Sequence, residues 1–162
     1  MGKFEDALSF SAALCSVSEH CSSDIKRKIE KFELTTDEVT SLIKKLIKDG
    51  FLDEERYVRA FVNDRFKYNK WGKIKIAYLL KQKSIESSII YDCLESIDDE
   101  VYFNTLYDLI KHKQKGTKGK DKTDIRNKLY RFAAGRGFES KLIISCLKKL
   151  NFDEDDTNME EY

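Results

Sequence analysis

The sequence of 162 residues contains no proline, two histidines, four cysteines and one tryptophan. No apolar run approaches the roughly 20 residues that a membrane-spanning helix needs. The acidic, Ser-rich N-terminus lacks the basic start and the apolar stretch of a secretory signal. Four scattered cysteines are too few for a disulfide-stapled scaffold. We therefore expect a reduced, cytoplasmic protein without a membrane segment.

The sequence also lacks a recognisable catalytic or metal-binding motif. Neither Cys-x-x-Cys nor His-Glu-x-x-His occurs. Cys15 and Cys21 flank His20, but no fourth metal ligand accompanies them. The stretch Gly135-Arg136-Gly137 is too short for a phosphate-binding loop and predicts a turn between helices. We expect no enzyme activity, no metal and no cofactor.

The charges are unevenly distributed along the chain. There are 30 Lys and Arg residues and 29 Asp and Glu residues, and six acids but no base follow Lys149, so residues 1–150 carry a net charge of +7. Within that body, residues 56–83 and residues 111–136 each carry +8. Such blocks attract polyanions or an acidic protein surface. The alternative is that these cations only solvate helix faces; we favour a binding role.

Apolar residues recur every three or four positions almost throughout, which predicts an all-α protein. The predicted helices are residues 4–16, 23–33, 36–49, 53–68, 72–83, 87–97, 98–113, 123–135 and 139–150.

The helical pattern repeats three times. Aligning Leu34, Ile85 and Phe138 brings seven apolar columns into one ungapped register, with offsets of 51 and 53 residues. In one column Cys93 and Cys146 stand where the first repeat has a leucine, so we expect both cysteines in the core.

Local signals support the same register. Thr35 and Glu38 form a predicted capping box, and Leu34 with Val39 occupies the positions of a hydrophobic staple. The other repeats reproduce the staple but place a glutamate, Glu86 or Glu139, at the capping position. The staple therefore fixes how the chain enters the third helix of each repeat.

The prediction for the whole chain is three tandem three-helix repeats that form an elongated, curved modular chain. The repeats comprise residues 4–52, 53–97 and 98–150, and the third contains a mobile basic loop at 113–122. Residues 151–162 are predicted to form an acidic, disordered tail, with the hypothesis that it competes with a partner for the basic surface.

The helix at 53–68 is predicted to separate two kinds of side chain. One face presents an outward row of Arg56, Arg59, Asn63 and Lys67. The aromatic residues at helical spacing, expected in core or inter-repeat packing, are Tyr57, Phe61 and Tyr68. Core cover and partner contact are equally open for Trp71.

These residues resemble a known family. The segment 46–62, followed by Arg65, Gly72 and Leu80, is similar to the signature of RecX regulatory proteins: a turn glycine, an aromatic residue, a leucine and an acidic pair before an aromatic–Ala helix. Residues 129–147 resemble the last repeat of the family. The resemblance covers about residues 5–150, with departures at Glu54, where the signature has Asp, at Tyr57, where it has Phe, and at Ser84, where Gly is common.

The resemblance implies three helical repeats in an arc and binding to the RecA recombinase filament on single-stranded DNA. It further implies limitation of filament growth and activity, and hence a place in homologous recombination, DNA repair and the SOS response. We expect a monomer. The match supports Arg56 and Arg65 as partner-binding residues, and the charge pattern adds the others. The candidate basic face is Arg56, Arg59, Arg65, Lys67, Lys70, Lys73, Lys75, Lys118, Lys120, Lys122, Arg126, Arg131 and Arg136.

Two other functions remain open at this stage. The first is direct, nonspecific DNA binding, since three-helix units of this size resemble Myb-like or homeodomain-like modules. No helix is dense in the Arg, Asn and Gln that read base edges, so sequence-specific recognition is not expected. The second is a helical scaffold without an anionic partner.

Overall fold

A computed structural model describes residues 2–152, and within this range the chain is helical with no strand. The α-helices are α1 (Lys3–Val17), α2 (Ser22–Lys28), α3 (Thr36–Lys48), α4 (Glu54–Lys67), α5 (Lys73–Gln82), α6 (Ser87–Glu95), α7 (Asp99–Gly116), α8 (Lys122–Gly135) and α9 (Ser140–Lys149). The all-α prediction is confirmed. Within residues 2–152, no helix has both the length and the apolar content needed to cross a membrane.

Two predicted segments differ from the structure. The second helix ends at Lys28 and a 3₁₀ turn, Glu30–Phe32, replaces its last part. The basic loop is shorter than predicted, because α7 continues to Gly116 and only residues 117–121 connect it to α8. Lys and Gln are good helix formers and lysines interact favourably with the C-terminal end of the helix dipole, which explains the extension.

The repeat register is visible in the backbone. Glu33, Ser84 and Gly137, each directly before the aligned apolar residue, all have positive φ, at 53°, 60° and 93°. In each turn the N–H of this residue donates to the carbonyl three residues earlier over 2.9–3.0 Å. The same left-handed turn therefore joins the second and third helices of all three repeats, as tandem repetition requires.

The repeated apolar columns form the core. Ile25, Ile76 and Leu129 of one column are completely buried. Cys93 and Cys146 are buried as expected, and burial raises the pKa of the Cys146 thiol to about 11. These thiols behave as small apolar core residues.

The predicted capping box at the start of α3 is also present. The Thr35 hydroxyl accepts the Glu38 N–H at 3.2 Å, and the Glu38 carboxylate accepts the Thr35 N–H at 3.0 Å. Two backbone donors of the first turn are thereby satisfied.

The described residues divide into two compact units. The N-terminal unit contains residues 2–63 and 79–93, and the C-terminal unit contains residues 64–78 and 94–152. Since α4, α5 and α6 contribute to both, the bounds of the three sequence repeats and their elongated, curved arrangement stay predictions.

Each unit has an apolar core. The core of α1–α3 in the N-terminal unit consists of Ala7, Ile25, Ile29, Leu42, Ile43, Leu46 and Leu52. The core of the C-terminal unit consists of Tyr102, Leu106, Ile110, Leu129, Ala133, Phe138, Ile143, Cys146, Leu147 and Phe152. Phe152 falls in the predicted tail but is packed; the rest of that tail, residues 153–162, lies outside the described residues.

A charged pair joins two distant segments of the N-terminal unit. Asp24 of α2 is buried, and its carboxylate accepts a hydrogen bond from Lys83 Nζ at 2.7 Å. Burial by itself raises the pKa of Asp24, but the bonds from Lys83 and Cys21, together with the charge of Arg27, outweigh it and hold the pKa below its usual value. The pair fixes the end of α5 against α2.

We predict that Asp24 contributes stability that depends on pH. Because its pKa is lowered in the folded chain, the contribution is complete above the unfolded value of 3.8 and is lost as the pH falls through the folded value. Asp24→Asn is expected to cost about 1.5–3 kcal/mol at pH 7. The difference from wild type, measured by urea unfolding, should shrink as the pH falls below about 4. A difference independent of pH would contradict this role.

A second prediction concerns the repeated left-handed turn. A residue with a Cβ is strained by roughly 1–2 kcal/mol in the left-handed conformation, and glycine avoids this strain. Glycine is also more flexible in the unfolded chain, which cancels about 0.5–1 kcal/mol of the gain. Ser84→Gly should therefore raise the free energy of unfolding by about 0.5–1 kcal/mol. Gly137→Ala should lower it, because a Cβ there would lie 2.3 Å from Lys75 Cβ. Urea unfolding of both variants tests the opposite signs.

Candidate functional site

Arg56 at the start of α4 is engaged within the N-terminal unit. Its Nε donates to both carboxylate oxygens of Glu19 at 2.7 and 2.8 Å, and its Nη2 donates to the carbonyls of Gly50 and Phe51. Arg56 is exposed, as the outward row predicts, but Glu19, 37 residues earlier, neutralises its charge, and its binding to a partner stays a prediction. Arg56 closes the segment between α3 and α4.

The remaining residues of the predicted outward row on α4 are exposed. Arg59 forms an ion pair of 2.6 Å with Glu55 one turn earlier, while Asn63 and Lys67 are exposed. On the aromatic side, Tyr57 is buried as expected. Tyr68 is 72% exposed, contrary to expectation, because α4 ends at Lys67 and the chain leaves the helical register.

The C-terminal unit contains a close contact between two backbones. A Cβ on Gly72 would lie 2.3 Å from the carbonyl carbon of Gly137. Gly72 N–H donates to the Arg136 carbonyl at 2.7 Å, and Ile74 N–H donates to the Gly137 carbonyl at 3.0 Å. Only glycine permits this approach, which fixes the start of α5 on the turn between α8 and α9.

Tyr102 of α7 joins the start of α5 to the start of α9 through its hydroxyl, next to the contact of Gly72 with Gly137. Its buried hydroxyl accepts the Lys73 N–H at 2.9 Å and donates to the Glu139 carboxylate. Burial, and then the neighbouring Glu139 carboxylate, raise the pKa of Tyr102. The first amide of α5 is therefore satisfied by a side chain of the third repeat.

Cations from both basic segments meet beside this contact. Lys75 Nζ lies 4.4 Å and Arg65 Cζ 5.4 Å from the centroid of the Trp71 ring. Arg136 donates to the Asn69 carbonyl at 2.7 Å, and its Cζ lies 5.4 Å from the Phe132 ring centroid.

Lys113 Nζ lies 5.0 Å from the same Phe132 ring. We call the set Arg65, Trp71, Lys75, Lys113, Phe132 and Arg136 the Trp71–Phe132 cluster. Four like charges are held near two aromatic rings, which lowers the cost of placing them together.

The other predicted cations of the first basic segment are close in sequence to Arg65, Trp71 and Lys75 of this cluster. Lys67 and Lys70 are exposed, and Lys73 Nζ lies 4.6 Å from the centroid of the Tyr102 ring. For Trp71, core cover and partner contact were both open. The structure shows a half-buried ring that contacts cations.

The predicted cations of the second segment lie on α8 and on the connection before it. Lys118, Lys120, Lys122 and Arg131 are exposed. Arg126 is half-buried, and its Nε has no hydrogen-bond partner in the part of the chain that the structure describes. The connection is anchored, since Lys128 Nζ donates to the Lys118 carbonyl at 2.6 Å and Lys120 N–H to the Asp124 carboxylate at 3.0 Å.

This geometry provides positive charge and hydrogen-bond donors. Over residues 2–152 no three His, Cys, Asp or Glu side chains are grouped as metal ligands. Burial raises the pKa of Cys15, with the Glu19 carboxylate adding to the effect, so this thiol is disfavoured as a thiolate. The described surface is suited to holding an anionic partner.

Sequence reasoning missed the groups that build the Trp71–Phe132 cluster. The Asn69 carbonyl and the Tyr102 hydroxyl carry no sequence pattern, and the predicted turn at Gly135–Gly137 did not indicate a backbone contact. The one available signal was an isolated glycine at a helix start, Gly72, which often marks a close approach of two backbones.

We predict that charge reversal on α4 distinguishes a cation bonded to several distant groups from a cation paired within one helical turn. Arg56→Glu places a second carboxylate beside Glu19 and removes donors from two carbonyls, so it should lower the thermal unfolding midpoint. Arg59→Glu loses only an exposed pair one helical turn apart and should cost about 0.5 kcal/mol or less. Circular dichroism melts compare them, and equal losses would mean that Arg56 is an ordinary surface cation.

Comparisons with known proteins agree with this architecture. Residues 53–94 match the family model of the RecX second three-helix domain, and residues 100–147 match that of the RecX third three-helix domain. Among solved structures, RecX from Lactobacillus salivarius superposes with a TM-score of 0.80 at 16% identity, covering 92% of this chain and 97% of that one. At this identity the likeness establishes the fold.

Sequence relatives extend the match beyond the fold. The chain is 30% identical over 152 residues to the regulatory protein RecX of Chlorobium phaeobacteroides, covering 93% of this chain and 98% of that protein. It is 31% identical over 131 residues to the regulatory protein RecX of Clostridium acetobutylicum, covering 78% of this chain and 60% of that longer protein. With the second and third domain models both matched in order, the chain belongs to the RecX family of regulatory proteins.

Proposed function

We propose that this chain binds the RecA recombinase filament on single-stranded DNA and limits its growth and its ATP hydrolysis. The observation that carries the proposal is the Trp71–Phe132 cluster, in which cations of two separate basic segments meet in one unit. Family membership supports a regulatory role. The cluster supports a negatively charged partner.

The contacts of the proposed site are electrostatic and individually weak. Lys67 and Lys70 are exposed, so each gains little from a single ion pair in water. A filament repeats the same negative surface, and several weak contacts made together give an affinity far above any one of them. Binding through many such contacts stabilises one arrangement of neighbouring filament subunits and thereby opposes the changes that growth and turnover need.

The chain acts in this proposal without chemistry of its own. Its cations hold a partner, and no step of the proposed regulation requires a group that transfers a proton or attacks a bond. We propose that it acts as a monomer in the cytoplasm, where RecA filaments form.

Direct binding to single-stranded DNA is the second candidate function. One feature favours it: Trp71 is half-buried, with Lys75 and Arg65 at its ring, and single-stranded DNA binds to aromatic side chains flanked by cations. In this case affinity for bare DNA is substantial and falls steeply with salt, by about one logarithmic unit for each phosphate contacted. Binding to the filament predicts weak affinity for bare DNA.

Reversal of one cation of the cluster, Lys75, and of the exposed Lys70 tests the proposal. The double variant Lys70→Glu, Lys75→Glu keeps the glycine contact and reverses two cations. We expect the concentration that halves RecA ATP hydrolysis on single-stranded DNA to rise about tenfold, as the loss of about 1.4 kcal/mol of binding requires. Wild type is expected to inhibit below one molecule per recombinase subunit.

The matched control is Lys44→Glu, Lys48→Glu on α3, where both lysines are exposed in the N-terminal unit. It changes the net charge by the same amount, so an equal loss of inhibition would assign the effect to total charge and reject the cluster. Absence of any effect of wild type on ATP hydrolysis or strand exchange would reject the proposed function.

A further inference from the structure

The acidic segment, residues 153–162, begins at a fixed point of the C-terminal unit. It contains six acids and no Lys or Arg. The residue before it, Phe152, is only 5% exposed in the core of this unit. Phe152 N–H donates to the Leu147 carbonyl at 2.8 Å, and Asn151 with φ of 69° turns the chain after α9. The attachment point of the acids is therefore set by packing.

An exposed lysine at the start of α8 lies close to that point. Lys122 Nζ is 5.9 Å from the centroid of the Phe152 ring. Lys122 is the first residue of α8, and the connection that leads into it carries Lys118 and Lys120, both exposed. The backbone of the connection is held to α8 by the bonds of Lys128 and Asp124. We call Lys118, Lys120 and Lys122 the lysine connection.

We propose that the acidic segment binds the lysine connection of its own chain and competes there with an anionic partner. Ten residues reach up to about 33 Å, far more than the distance from Phe152 to Lys122 requires. A short tether gives an effective concentration in the millimolar range. At physiological salt, charges are screened beyond about 8 Å, so the acids act on the lysine connection only when the segment brings them within that distance.

The contact within the chain does not depend on the proposed function; only its regulatory consequence does. Occupation of the connection lowers the positive potential offered to a polyanion, and a partner that contacts other cations as well displaces the segment. The segment then sets a threshold: weak polyanions stay excluded while an extended, repeated one is accepted.

The contact is tested on the full-length chain without any partner. All six acids are replaced by their amides, D153N, E154Q, D155N, D156N, E160Q and E161Q, and Phe152 is kept because it is part of the core. Brief acetylation at low salt followed by mass spectrometry measures the reaction rate of each lysine. We expect the rates of the lysine connection to rise about two- to fivefold in the variant, with Lys44, exposed on α3, as the internal control.

Salt provides a second readout of the same contact. In wild type the rates of the lysine connection should rise towards those of the variant between about 0.02 and 0.5 M NaCl, as screening weakens the contact. Equal rates in wild type and variant at low salt, or an equal rise at Lys44, would overturn the proposal.

The consequence is tested by binding to a 30-nucleotide oligothymidine. The six amides are combined with K118Q, K120Q and K122Q in a double-mutant cycle. If the segment covers the connection, neutralising the acids strengthens binding several-fold in the wild-type background and distinctly less in the triple-lysine background. Equal gains in both backgrounds would contradict competition at this surface. Because neither assay contains recombinase, failure of the filament proposal leaves these results interpretable.

Discussion

The approach of Gly72 to Gly137 is the constraint on which the C-terminal unit depends. Two backbones come together at a distance that no Cβ tolerates, and two hydrogen bonds join the start of α5 to the turn between α8 and α9. Because residues 64–78 are placed by this contact, Lys75 comes to lie against Gly137. Backbone packing thus helps to hold the cations of the Trp71–Phe132 cluster together against their mutual repulsion, part of which the aromatic rings offset.

Charge in this protein divides between holding the fold and facing outward. Arg56 and Lys83 belong to the same +8 segment as Lys67 and Lys70, yet the first two are bound to Glu19 and Asp24. A partly buried pair is costly to break because the remaining charge stays without compensation. Net charge over a segment therefore overstates the positive potential available to a partner, because a carboxylate beside a cation cancels much of its field at long range.

Much of the fold follows from short-range sequence signals. Period-three and period-four spacing predicts all nine helices of the described chain, and the repeat register places Cys93 and Cys146 in the core. Those signals act within a few residues and are readable in one dimension. The pairing of Arg56 with Glu19 and the bond from Arg136 to the Asn69 carbonyl join residues 37 and 67 positions apart, and no periodicity encodes them. Three of the four cations of the Trp71–Phe132 cluster belong to the predicted basic face, whereas the place of Lys113 and the assembly of the cluster required the tertiary structure.

The exposed cations and the glycine backbone contact differ in how much displacement they tolerate. Displacing an exposed lysine such as Lys70 by a few ångströms changes its interaction with a polyanion only slightly, because the screening length is about 8 Å. Displacing the backbone at Gly72 by the width of a methyl group breaks the hydrogen bonds that Gly72 and Ile74 donate to the turn between α8 and α9. A regulator of this design therefore tolerates rearrangement of its cations over the surface, provided that the glycine contact and the apolar columns keep the helices in place.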